Sequence, residues 1–94
     1  MTIKFDIRHV ADRSRRDLER RRDILIQQYA DALGGYASLN PQRRFEVERA
    51  AHLMSLAQGQ RALAADISAK DEADLKRLEG LAAAAVEQLG IKAA

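Results

Sequence analysis

The chain has 94 residues, with 16 Lys/Arg against 14 Asp/Glu, a net charge of +2 and an apolar share of 47% that includes only two Phe and two Tyr. This length holds one small domain, residues 1–94, near the lower limit for a self-sufficient core, so burial against other copies is a natural supplement. The absence of cysteine excludes disulfides and thiolate chemistry, and no apolar run approaches the roughly 20 residues of a membrane span, so a cytosolic protein without a membrane partner is expected.

The chain opens on "TIKFDIR", where Ile3, Phe5 and Ile7 alternate with Lys4, Asp6 and Arg8. Period two predicts an extended arm over residues 1–10. In an otherwise helical chain it is either a loosely docked terminus or an arm that pairs with a neighbouring subunit.

Helix 1 is expected over residues 12–33, starting near Asp12 or Ser14, with Ser14 and Asp17 as a variant capping box. Leu18, Leu25, Tyr29, Ala32 and Leu33 recur at helical spacing, and Gly34 supplies the left-handed stop. Helix 2 is expected over 41–66, with Asn40 as cap and Pro41 at the first helical position. Val47, Ala50, Met54 and Ala57 form one apolar stripe; Leu53, Leu56, Leu63 and Ile67 form another. So wide an apolar arc needs more than one packing neighbour. Helix 3 is expected over 71–89, after Ser68 or Asp71, with Gly90 and Ile91 closing it. Leu75, Leu78, Ala82, Ala85 and Leu89 follow a 3-4-3-4 spacing, a coiled-coil-like seam. The fold expected is all-α: three helices, the last two an antiparallel hairpin, with a short N-terminal extended arm. Leu53, Leu56, Leu63, Leu75, Leu78, Ala82 and Ala85 are the candidate oligomer-interface residues, and the expected assembly is a homo-oligomer closed into a ring.

Enzymatic chemistry finds no anchor in these residues. His9 and His52 lack ligand-like spacing, no Gly-rich phosphate loop is present, and the serines assemble with no evident base. No catalytic residue, metal or cofactor is assigned, and the chain reads as a non-enzyme. A helix-turn-helix requires a turn of three or four residues; Gly34 to Asn40 is longer.

The segment "DRSRRDLERRRD" packs six arginines into twelve residues. At about 100° per residue Arg13, Arg16 and Arg20 share one side of helix 1. Acids stand at pairing distance: Asp17 with Arg21, Glu19 with Arg22, and Arg20 with Asp23. Arg22 falls on the apolar stripe, where it must snorkel, meet a carboxylate or sit where the helix overhangs the core. Arg43 and Arg44 sit in the first turn of helix 2, against the helix dipole, and suggest an outside anion or an acidic partner. Arg13, Arg16, Arg20, Arg43 and Arg44 are therefore the candidate DNA-binding residues. The competing reading is a solvated, salt-bridged surface.

The stretches "YADALGG", "LNPQRRFEVERAAHLMSLAQGQRAL" and "DLKRLEGLAAAAVEQLGI" resemble short proteins of proteobacterial prophages and gene-transfer agents, which are similar to small terminase subunits. The likeness spans about Leu25 to Ile91 and rests on structural motifs: the aromatic and LGG closing helix 1, RAA in helix 2 and LGI ending helix 3. It implies a non-catalytic, ring-forming DNA-packaging factor in the cytoplasm of a bacterial host. Its implied partners are itself, the large terminase subunit that it regulates, and double-stranded DNA. Many small terminases carry an N-terminal helix-turn-helix that this chain lacks, so the engagement of DNA expected here is non-specific, weak and salt-dependent. The alternative is a helical protein-binding adaptor, or a small regulator of toxin–antitoxin type, without DNA binding.

Overall fold

The structure, a computed structural model, describes residues 7–63 and 68–91, the side chains of 7–14 excepted. Three helices run in chain order: α1 Ile7–Ala32, α2 Pro41–Leu63 and α3 Ala69–Gln88, with a 3₁₀ turn at Tyr36–Ser38 after α1. The middle helix packs against both others, α1 on one flank and α3 in the hairpin on the other. The molecule is elongated, 56 × 29 × 21 Å, with a radius of gyration of 15.9 Å, against about 12 Å for a compact chain of this length.

The N-terminal expectations are corrected. Ile7 and Arg8 belong to α1, so the extended arm does not reach residue 10; residues 1–6 lie outside the described residues. Ile7, Val10, Ala11 and Ser14 also follow i, i+3, i+4, i+7 spacing, and a short alternation cannot outweigh that helical period. Ser14 is an interior residue of α1 and not its N-cap, since a cap must stand outside helical geometry.

The other boundaries follow the local chemistry. At the end of α1 the Gly35 N–H donates to the Ala30 carbonyl at 2.7 Å and the Gly34 N–H to Asp31 at 3.2 Å. This is the Schellman pattern, with Gly34 at φ 103° where a side chain would be strained. Asn40 caps α2, its Oδ1 accepting from the Arg43 N–H at 2.8 Å. Ser68 caps α3 by accepting from the Asp71 N–H at 3.2 Å, which starts the helix at Ala69, two residues before the expected boundary. Residues 64–67, including Ile67 of the second stripe, lie outside the described residues.

The core gathers where the end of α1, the start of α2 and the end of α3 meet. Ala30, Val47, Ala50 and Leu89 are buried there, with Ile26, Tyr29, Leu33, Leu39, Ala85, Val86 and Ile91 packed around them. Further along the hairpin Ala51, Ala57, Leu75 and Ala82 are buried. Alanine at so many contact positions lets the helices approach closely but contributes little area per residue. The wide apolar arc of α2 is thus largely absorbed within the chain, because α1 supplies the second neighbour. Two of the candidate interface residues, Leu75 and Ala82, serve the chain's own hairpin at 3% and 0% exposure. Ala85 packs on the core, while Leu53, Leu56 and Leu78 are half-buried. Leu63, at 81% exposure, is outside the core altogether, and Phe45 (65%) and Leu81 (55%) join it as uncovered apolar side chains.

Candidate functional site

The arginines sort into engaged and unengaged groups. Arg21 donates through Nε to Asp17 Oδ2 at 2.9 Å, the i, i+4 pair expected from spacing. Arg22 turns to its neighbour Asp23, Nε to Oδ1 3.9 Å, and not to Glu19; it remains half-exposed, snorkelling past the stripe on which it falls. Among the described residues no hydrogen bond or ion pair holds the guanidinium of Arg16 or Arg20, so the expected Arg20–Asp23 pair does not form. Both side chains are exposed. The side chain of Arg13 lies outside the described residues.

Arg43 and Arg44 are drawn into the fold. The Arg43 guanidinium donates to Glu46 Oε2 and to the Leu89 carbonyl, both at 2.9 Å. The first turn of α2 thereby satisfies a carbonyl at the end of α3, where a cation also suits the helix dipole. Arg44 donates to the Tyr36 and Ala37 carbonyls, both at 3.1 Å, and its Cζ lies 4.9 Å from the Tyr36 ring centroid. The Tyr36 hydroxyl donates to Glu48 Oε1 at 2.9 Å; that bond is the main reason its pKa is raised, since ionisation would forfeit the donation. Within the chain these charges meet Glu46, the Leu89 carbonyl near the α3 terminus and the carbonyls of the 3₁₀ turn.

Beside Arg16 and Arg20 lies an open groove of 660 Å³ between the first half of α1 and the second half of α2, with Leu18, Leu56, Gly59 and Leu63 in its lining. Arg16, Arg20, Arg21 and Asp17 line it beside these apolar residues. A second groove, 600 Å³, lies between α1 and the first half of α2, lined by Arg22, Asp23, Ile26, Phe45, Glu48, Arg49 and His52.

One polar cluster had not been expected. Arg61, in the last turn of α2, donates to Glu72 at 3.0 and 3.1 Å and to Glu79 at 2.6 and 3.1 Å. The two glutamates stand seven residues apart on α3, hence on one face, and an antiparallel hairpin brings that face against the end of α2. The spacing was a usable signal once the hairpin register was known. Hydrogen bonds from Arg61 hold the Glu79 carboxyl below the usual carboxylate range, and the same contacts raise the Arg61 pKa. The cluster is exposed and fastens the hairpin near the end where α2 passes into α3.

Burial raises the Tyr29 pKa, consistent with its place beside the core. The one fully buried polar side chain described, Ser55, donates to the His52 carbonyl at 2.8 Å. Among the described residues no three of His, Cys, Asp and Glu come together to hold a metal ion, and no helix is long and apolar enough to cross a membrane. No protein-family model, curated protein or solved structure matches this chain.

Proposed function

We propose that this chain is a non-catalytic DNA-packaging factor of the small-terminase kind, which self-assembles in the bacterial cytoplasm, holds DNA by its phosphates and regulates a large motor subunit. The observation that carries the DNA half is the pair Arg16 and Arg20. They are two exposed guanidiniums on one side of α1 that the described chain leaves unengaged, while Arg43 and Arg44 are occupied internally. Planar guanidiniums without a carboxylate partner suit phosphate oxygens, and such contacts are indifferent to base sequence. Support for the assembly half is the uncovered apolar surface at Phe45, Leu63 and Leu81. Repetition of a two-arginine patch around a closed assembly multiplies a weak contact into useful avidity.

The test compares duplex DNA binding at about 50 and 200 mM salt for the wild type and an Arg16→Ala/Arg20→Ala variant. Each phosphate contact removed lowers the slope of log K against log salt by about 0.9. A variant that retains affinity and slope overturns the DNA half of the reading. The second reading, a protein-binding adaptor, is favoured by the leucines in the 660 Å³ groove, because contacts to DNA phosphates alone leave Leu63 uncovered. It predicts salt-insensitive binding of one protein partner, lost in Leu63→Asp, with no DNA binding at either salt.

A further inference from the structure

We propose that the 600 Å³ groove between α1 and α2 is the seat for α3 of a second copy, entered by Leu81 with Asp74 beside it. The inference rests on the self-assembling reading above and names its contact.

The groove has an apolar part, Ile26 and the 65%-exposed Phe45, beside Arg49 and His52. Its two acids each meet a neighbour: Glu48 accepts from the Tyr36 hydroxyl and keeps its charge, and Asp23 lies beside Arg22. Arg49 and His52 have no hydrogen bond or ion pair from their side chains among the described residues. What the groove leaves unanswered is thus one aromatic surface and one guanidinium without a direct partner, that of Arg49.

A matching strip lies on α3. Asp74, Leu78 and Leu81 fall on one side of the helix by their i, i+4, i+7 spacing. Leu81 is 55% exposed, Asp74 is exposed and Leu78 half-buried. Asp74 has no ion pair among the described residues. The registers agree. Phe45 and His52 are seven residues apart on α2, and Leu81 and Asp74 are seven apart on α3; both separations span about 10.5 Å at 1.5 Å per residue. An α3 laid antiparallel to α2 with Leu81 on Phe45 therefore brings Asp74 to His52, with Arg49 one turn away. Leu81 is exposed in its own chain, so it does not fill its own groove.

Groove and strip are different surfaces of one chain, which makes the contact heterologous: it closes into a ring or grows into a filament. The other groove is the weaker candidate, because it adjoins residues 64–67, outside the described residues, and its free arginines carry the DNA reading.

The experiment is light scattering behind a sizing column on the full chain, with circular dichroism to verify helix content. Arg49→Asp and Asp74→Arg exchange exposed charges and leave the core untouched. Each alone is expected to weaken association at least tenfold, and the double variant to recover most of it. Phe45→Asp and Leu81→Asp are expected to run singly as 10.5 kDa monomers. Mixed, they should give a species of twice that mass and nothing larger, because one intact groove meets one intact strip. A wild type that assembles while the charge variants and the mixture show no such pattern overturns the contact and leaves self-assembly standing. A wild type that stays monomeric overturns both, including the case where the groove takes an acidic peptide of another protein instead.

Discussion

Replacing Gly80 by Ala should stabilise the folded chain. Gly80 lies in the interior of α3, where glycine costs about 0.8–1 kcal/mol relative to alanine through the backbone freedom it surrenders. A Cβ built there meets no atom within 4 Å, so no clash offsets the gain, and an exposed methyl adds little burial. The expected change is therefore about 0.8–1 kcal/mol, which in a domain of this size raises Tm by about 4–8 °C. Urea unfolding of both proteins, at one matched concentration because assembly couples to unfolding, should move the midpoint upward at unchanged m. Gly59 lies within α2 and its Cβ is equally unopposed, so the double Gly59→Ala/Gly80→Ala variant should gain about twice as much by simple additivity. A destabilised Gly80→Ala whose deficit grows with protein concentration would mean that a second copy packs against this glycine and that the solvent-exposed accounting is wrong.

Arg43→Ala should cost about 1–2 kcal/mol, since it strips the Leu89 carbonyl of its donor and removes the ion pair of Glu46, which keeps only the long hydrogen bond from Gln42; a thermal melt unchanged from wild type would show that water replaces the guanidinium at no cost. Ser68→Ala removes the α3 cap and should cost about 1 kcal/mol, read as a lower urea midpoint. Because the folded-state pKa of Glu79 lies below its ordinary value of 4.5, the unfolded chain binds the extra proton between the two values. The stability from this group is complete above about 4.5 and is lost as pH falls through the lowered value. Glu79→Gln should accordingly flatten the fall of Tm with acid in that window and leave the trend elsewhere unchanged.

Local sequence by itself determined the elements with strong punctuation. The Gly34–Gly35 pair after Leu33, the "NP" that opens helix 2 and Ser68 before helix 3 act through backbone geometry and caps that need only a few neighbouring residues, so those boundaries were legible within a residue or two. The 3-4-3-4 seam of α3 was legible for the same reason: a helical period records which side must be buried. The N-terminal start of α1 was not, because a seven-residue alternation and a helical period overlap there and only the continuing helix decides between them.

What tertiary structure alone decided is what each buried side and each charge meets. Periodicity marks Leu75 and Ala82 as buried but is silent on whether the partner is the same chain or another, and the hairpin takes both. The arginines followed the same logic. Arg43 and Arg44 looked like free cations because their acceptors, the Leu89 carbonyl 46 residues away and the carbonyls of the 3₁₀ turn, become acceptors only once the helix ends are placed. Arg61 with Glu72 and Glu79 exists only in the register of the hairpin. Residue spacing sets which groups share a helix face; only the packing of the helices sets which faces are left over, and Arg16, Arg20, Phe45, Leu63 and Leu81 belong to that remainder.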